Sequence, residues 1–150
     1  MDSIDRRIAK ILQGNARVAN AEIARRVGLA PSAIHERVRK LKESGVIREW
    51  TAHIAPEVLD LGLLAFLSVK TNETAGDVSA AEEIAAFPEV LEVHHVAGED
   101  CYLVKVRTKN TEALANMLRE KIGAIPSVTS TRTTIAMETI KETTQLPIMD

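Results

Sequence analysis

Ser32, Glu36, Arg39 and Glu43 recur at spacings of four, three and four residues. At about 100° per residue that spacing lines them along one face of a helix, with His35 and Lys40 flanking the row. Each side chain donates or accepts hydrogen bonds, and such a row on an exposed helix suits the base edges in the major groove of a duplex. A second constellation, Gly98-Glu99-Asp100-Cys101-Tyr102, puts a glycine before two acids on one turn. The glycine permits positive φ and close backbone approach. Backbone N–H groups beside carboxylates suit both ends of an amino-acid zwitterion. Both patterns also have plainer readings, because small helical domains expose polar residues on their last helix and hairpin turns commonly carry solvated acids.

The first row needs a helix with a buried opposite face. Ile34, Val38 and Leu41 repeat at i, i+4 and i+7, Pro31 stands where a first-turn proline is tolerated, and Gly45 closes the segment. Ahead of it, Ile4, Ile8, Ile11 and Leu12 form one apolar stripe ended by Gly14-Asn15. Asn20 is the expected N-cap of a middle helix whose inward residues are Ile23, Ala24 and Val27, with Gly28 as its terminator. Two short helices around a glycine turn, the second carrying an outward polar row, predict a helix-turn-helix over residues 1–46.

The second constellation needs a sheet. Residues 46–54 are β-branched and roughly alternating, which predicts a linker strand, and Pro56 to Gly62 reads as a hinge, so 47–62 is the connection. Beyond it the signals run strand (63–70), helix (77–86), strand (90–96), strand (102–107), helix (around Leu114, Met117, Leu118 and Ile122, capped at Asn110 or Thr111) and strand (128–140). The order βαββαβ predicts an α+β chain in which 63–150 is a ferredoxin-like sandwich. Its bare sheet face calls for a cover, and a second copy is the obvious one, giving a homodimer.

Charge follows the same division. Residues 1–50 hold eleven Lys/Arg against six Asp/Glu, a net +5, while the remainder nets −7. A basic third joined to an acidic two-thirds suggests a polyanion-binding module attached to a part with another task. One Trp, one Tyr and two Phe are too few rings for a single-strand stacking platform, so duplex DNA is the expected nucleic acid. The lone Cys101 builds neither a disulfide nor a multi-cysteine metal site. His94 and His95, neighbours on a strand, point to opposite faces, so no metal is expected. No nucleophile and base spacing or phosphate-binding loop appears, so no enzyme activity and no cofactor are expected. No apolar run reaches a membrane span, and Met1-Asp2-Ser3-Ile4-Asp5-Arg6 lacks the apolar region of a signal peptide, so the cytoplasm is the expected location. The alternative is a ferredoxin-like small-molecule or metabolic domain with a helical extension and no DNA binding.

Three runs, 8–17 (IAKILQGNAR), 22–29 (EIARRVGL) and 37–47 (RVRKLKESGVI), resemble the DNA-binding half of the Lrp/AsnC, or feast/famine, transcription regulators. Residues 92–106 (EVHHVAGEDCYLVKV) and Ile125-Pro126-Ser127-Val128 resemble their effector-binding RAM domain. The resemblance spans nearly the whole chain and implies a winged-helix-like N-terminal reader, a linker strand paired with its twin across a dimer, and assembly to a tetramer or octamer. For such a reader the facing of the helices puts Ser32, His35, Glu36 and Arg39 on base edges, and Arg25, Arg26, Lys40 and Lys42 on phosphates, with Arg37 beside the core stripe. The resemblance also implies a small effector, usually an amino acid, between dimers, touched by Gly98, Glu99, Asp100, Cys101 and Tyr102 and by Thr131, Thr133 and Thr134 of the last strand. The chain departs from the pattern at Ala30, where a serine usually precedes the proline, and at Cys101, where many members have Asp before the Tyr. Cysteine does not hold an ammonium as a carboxylate does, so either Asp100 or Glu99 takes that part or the effector differs.

Overall fold

The computed structural model describes residues 1–149, and Asp150, assigned above to the second domain, lies outside the described residues. The chain divides into two compact units, residues 1–53 with the segment from Lys141, and residues 54–140.

In the first unit α1 (Ser3–Gly14) starts from a reciprocal cap. The Asp2 carboxylate accepts the Asp5 N–H at 2.7 Å, and the Asp5 carboxylate accepts the Asp2 N–H at 3.2 Å. Helix α2 (Asn20–Val27) begins one residue earlier than its sequence suggests. The Ala19 carbonyl already accepts the Ile23 N–H at 3.1 Å, so Ala19 is the cap and Asn20 lies inside the first turn. Gly28, at φ 78°, closes α2 as expected, with the Gly28 and Leu29 N–H groups both donating to the Ala24 carbonyl. Helix α3 (Pro31–Glu43) opens on Ala30 without a side-chain cap, but Pro31 in its first turn has no N–H to leave unpaired. Ile8, Leu12, Ile23, Ala24, Val27, Ile34 and Leu41 make one core, with Val38 packed against it.

Two expectations change here. Residues 46–54 form no strand, because the described residues provide no adjacent backbone to complete a ladder. The segment from Lys141, assigned above to the sandwich, counts instead with the helices. Its attachment is the Gln13 side chain, which behaves as a piece of backbone: Gln13 Nε2 donates to the Leu146 carbonyl at 2.7 Å and the Leu146 N–H donates to Gln13 Oε1 at 3.0 Å. Gln145 Nε2 in turn donates to the Gln13 carbonyl at 3.2 Å, satisfying one of the acceptors that the last turn of α1 leaves unpaired.

In the second unit β1 (Leu63–Thr71), α4 (Ser79–Ala85), β2 (Val90–His95), β3 (Tyr102–Thr108), α5 (Thr111–Glu120) and β4 (Val128–Ile135) follow the expected order. The sheet order is β2-β3-β1-β4, antiparallel throughout. Ala65, Leu67, Val69, Tyr102, Val104 and Val106 meet Ala80 and Ile84 of α4 and Leu114 and Met117 of α5 in one core. Strand β4 stops at Ile135 rather than running to residue 140. Its last bond, from the Ala136 N–H to the Leu64 carbonyl, uses up the start of β1.

The tail attachment is checked by hydrogen exchange. The Leu146 amide should exchange slowly in the native chain and at the rate of free backbone in Gln13→Ala, while amides of the helix core keep their protection.

Candidate functional site

Burial of Ile34 and Leu41 turns Ser32, His35, Arg39, Lys40 and Lys42 outward, all exposed, with Glu36 half-buried among them. The expected row is therefore present on α3, and it is tied together. Arg39 donates from Nε to Glu36 Oε2 at 2.9 Å and from Nη2 to Glu36 Oε1 at 2.6 Å, while Nη1 donates to Glu43 Oε1 at 2.5 Å. Lys40 Nζ lies 3.7 Å from the same Glu36 oxygen. The Arg39 hydrogen bond holds the Glu36 carboxyl below its ordinary range, so Glu36 faces Arg39 as a carboxylate. On α2, Arg25 and Arg26 both donate to Glu22, whose carboxyl they push down to about 2. Lys42 faces outward on the same helix as Lys40.

Arg37 is a different kind of residue. Its Nη1 donates to Asp2 Oδ2 at 2.7 Å and to Asp5 Oδ1 at 2.6 Å, binding the start of α1 to the middle of α3. Sequence reasoning placed Arg37 beside the core stripe but named no partner. The signal was available in the two acids of the first turn, Asp2 and Asp5, which a nearby guanidinium bridges well.

In the sandwich the turn between β2 and β3 has Gly98 at φ 141°, a conformation that favours glycine, and the Val96 N–H donates to the Cys101 carbonyl at its base. Its five expected contact residues separate. Gly98 and Glu99 are exposed at the tip. Asp100 is engaged: its Oδ2 accepts Arg132 Nη2 of β4 at 2.5 Å. Cys101 is half-buried against the core, with the Thr71 N–H 3.4 Å from its Sγ. Tyr102 is only 2% exposed and points inward, its hydroxyl donating to Glu73 Oε2 at 3.2 Å. Along β4, Thr131 and Thr133 stand opposite Val69 and Leu67, whereas Thr134 stands opposite Phe66 and so faces the other side of the sheet. The structure therefore brings Asp100 and Arg132 together, with Thr134 on the sheet face of Arg132 and Thr131 and Thr133 on the other face, and does not bring Tyr102 to the surface. Among the described residues no group of three or more His, Cys, Asp or Glu is placed to hold a metal ion, and no helix is long and apolar enough to cross a membrane.

Residues 1–42 match the AsnC-type helix-turn-helix domain and residues 64–146 match the Lrp/AsnC ligand binding domain. The chain belongs to the Lrp/AsnC family of transcriptional regulators. It is 49% identical over 149 residues to the HTH-type transcriptional regulator FL11 of Pyrococcus horikoshii, covering 99% of this chain and 97% of that one. It is 38% identical over 150 residues to the leucine-responsive regulatory protein of Escherichia coli, covering 99% and 92%. The solved structure of a feast or famine regulatory protein from M. tuberculosis complexed with L-methionine superposes with a TM-score of 0.89 at 32% identity, covering 97% of each chain.

For an Lrp/AsnC chain the unexpected residue is Glu73, just past β1. Its carboxylate accepts the Ala80 N–H at 2.7 Å, the Ser79 hydroxyl at 2.9 Å, the Thr71 hydroxyl at 3.0 Å and the Tyr102 hydroxyl. It joins the end of β1, the start of α4 and the entrance to β3, and so braces the turn from beneath. Thr71, Ser79 and Ala80 lie within seven residues of Glu73, but nothing in the local sequence announces Tyr102, which lies 29 residues away. The Ala80 N–H leads the donors that lower the Glu73 carboxyl, whereas burial, with Glu73 as a second cause, raises the Tyr102 phenol. A carboxyl depressed in the folded state adds stability above the ordinary glutamate range and loses it as pH falls through the folded value. Acid denaturation of the native chain should therefore steepen below that range, and Glu73→Gln should flatten the profile there while lowering stability at neutral pH.

Proposed function

We propose that this Lrp/AsnC regulator lays α3 in the major groove, reads base edges with Ser32, His35, Glu36 and Arg39, and holds phosphates with Arg25, Arg26, Lys40 and Lys42. The observation that carries this reading is the phase of α3, whose buried Ile34 and Leu41 leave that whole row outward on the basic unit of the chain. Phosphate contacts supply sequence-independent affinity and base contacts supply discrimination. Arg39→Ala should cost roughly 1–3 kcal/mol on a selected site and relax one position of it. Lys42→Ala should weaken all sequences alike and lower the slope of log K against log salt by about 1. Titrations of labelled duplexes at several salt concentrations separate the two, and equal weakening on every sequence by Arg39→Ala would overturn base reading by that residue.

The sandwich is the sensor in this reading. An amino acid binds at Gly98, Glu99 and Asp100 and at the edge strand β4, where Thr134 shares the sheet face of Arg132 and Thr131 and Thr133 line the other face. The M. tuberculosis relative complexed with L-methionine supports that ligand class, and Glu99 supplies the acceptor for the ammonium because Asp100 is already engaged with Arg132. Cys101 and Tyr102 serve behind the turn. The chain acts as a cytoplasmic homodimer, its bare sheet face covered by a second copy, and dimers assemble further around the ligand. Binding then biases how several half-sites are spanned together. A free amino acid at about a hundredfold over its dissociation constant adds about 2.7 kcal/mol, which appears as a raised melting temperature. Across an amino-acid panel beginning with L-methionine, at least one member should raise it, and Glu99→Ala should abolish the rise without unfolding the chain. A rise unchanged in Glu99→Ala would remove that side chain from the site.

A further inference from the structure

A carboxylate on a surface that approaches a polyanion is repelled unless it meets a donor there. Glu36 sits in the middle of the outward row of α3, and both of its oxygens already hold Arg39. In the major groove the base-edge donors are the amino groups of cytosine (N4) and adenine (N6), and the established match for a carboxylate is cytosine. Arg39 has a complementary vacancy. A guanidinium carries five N–H donors, and the contacts to Glu36 and Glu43 use three of them, one on Nε, one on Nη1 and one on Nη2. One N–H on each terminal nitrogen is left over, the number that a bidentate contact to guanine O6 and N7 requires.

We propose that Glu36 and Arg39 act as a single buttressed reader of a C·G-containing step: Arg39 donates to guanine O6 and N7 while Glu36, still holding Arg39, accepts from a cytosine N4 amino group within one base step of it. The two residues lie one helical turn apart and are already in contact, so the reader is assembled before DNA arrives and loses little side-chain freedom on binding. Glu43 steadies the far side of the guanidinium, and the ammonium of Lys40, 3.7 Å from Glu36, offsets part of the carboxylate's repulsion from phosphates. This inference rests on α3 reading bases, and it adds which bases.

The test is selection of bound duplexes from a randomised pool by the full chain, with the recovered motifs compared between variants of confirmed helical content. The native chain should select a guanine with a cytosine at or beside that pair in each half-site. Glu36→Gln should turn the cytosine preference toward adenine, which a side-chain amide pairs through N6 and N7, by a factor within about 5- to 150-fold. Glu36→Ala should lose the cytosine preference and keep the guanine, and Arg39→Lys should weaken the guanine. If both Glu36 variants recover the native motif unchanged, Glu36 reads no base and the inference falls while base reading by α3 stands. If the native chain recovers no motif at all, the reading of α3 as a base reader falls, and this inference with it.

Discussion

Burial of two side chains, Ile34 and Leu41, sets the rotation of α3 about its own axis, and every polar group that the helix offers follows from that angle. Seven positions separate them, two turns of helix, so the line joining them runs nearly parallel to the axis and leaves the far side free. Both are at or near zero exposure in a core shared with Ile8 and Ile23. Replacing one buried aliphatic with a polar group would leave it unsatisfied among apolar neighbours, so sliding the helix by one residue is prohibitively costly. Arg37 reinforces the angle from the side through its bonds to Asp2 and Asp5, which are themselves fixed by the cap that starts α1. The orientation of the outward row is thus a packing result, reached without any interaction within the row.

That constraint explains which parts were legible from sequence. Apolar periodicity specifies faces, and the faces of all three N-terminal helices and the order of the sandwich follow from it directly, while the positive φ of Gly98 follows from its residue type. What periodicity does not encode is pairing across long separations. Asp100 and Arg132 are distant in sequence, and each alone looks like a solvated charge. Glu73 gathers donors from β1, α4 and β3. Gln13 resembles any surface residue at the end of a helix until the chain returns from 133 residues away to use its amide. The strand expected at residues 46–54 has the composition of one, but composition describes only half of a ladder. Tyr102 is a case where alternation already held the answer: it lies two residues from Val104, which faces the core, so it had to face the core as well.

Within the first unit the charges are more balanced locally than a net +5 suggests. Arg25 and Arg26 share Glu22, Arg37 holds Asp2 and Asp5, and Arg39 lies between Glu36 and Glu43. The exposed pairs among these, those of Arg25, Arg26 and Arg39, add little to stability. Their effect is on geometry and on the field: each guanidinium is held in one orientation, and its reach beyond the surface is reduced by the carboxylate beside it. A phosphate must compete with those carboxylates for the same donors.

The competition bears on how such a surface discriminates between sequences. Non-specific affinity grows with the number of phosphates neutralised and is the same for every duplex, so a surface of unpaired cations binds everything and gains no ratio between right and wrong sites. Pairing Arg25 and Arg26 to Glu22 and setting two glutamates around Arg39 lowers that common term. A base contact made by an arginine already locked in place is lowered much less, because its remaining donors stay aligned and little ordering is left to do. Carboxylates that weaken attraction to DNA in general therefore widen the gap between a matched site and the rest, and the acids on α3 make physical sense as part of a reader rather than as stray negative charge on a basic helix.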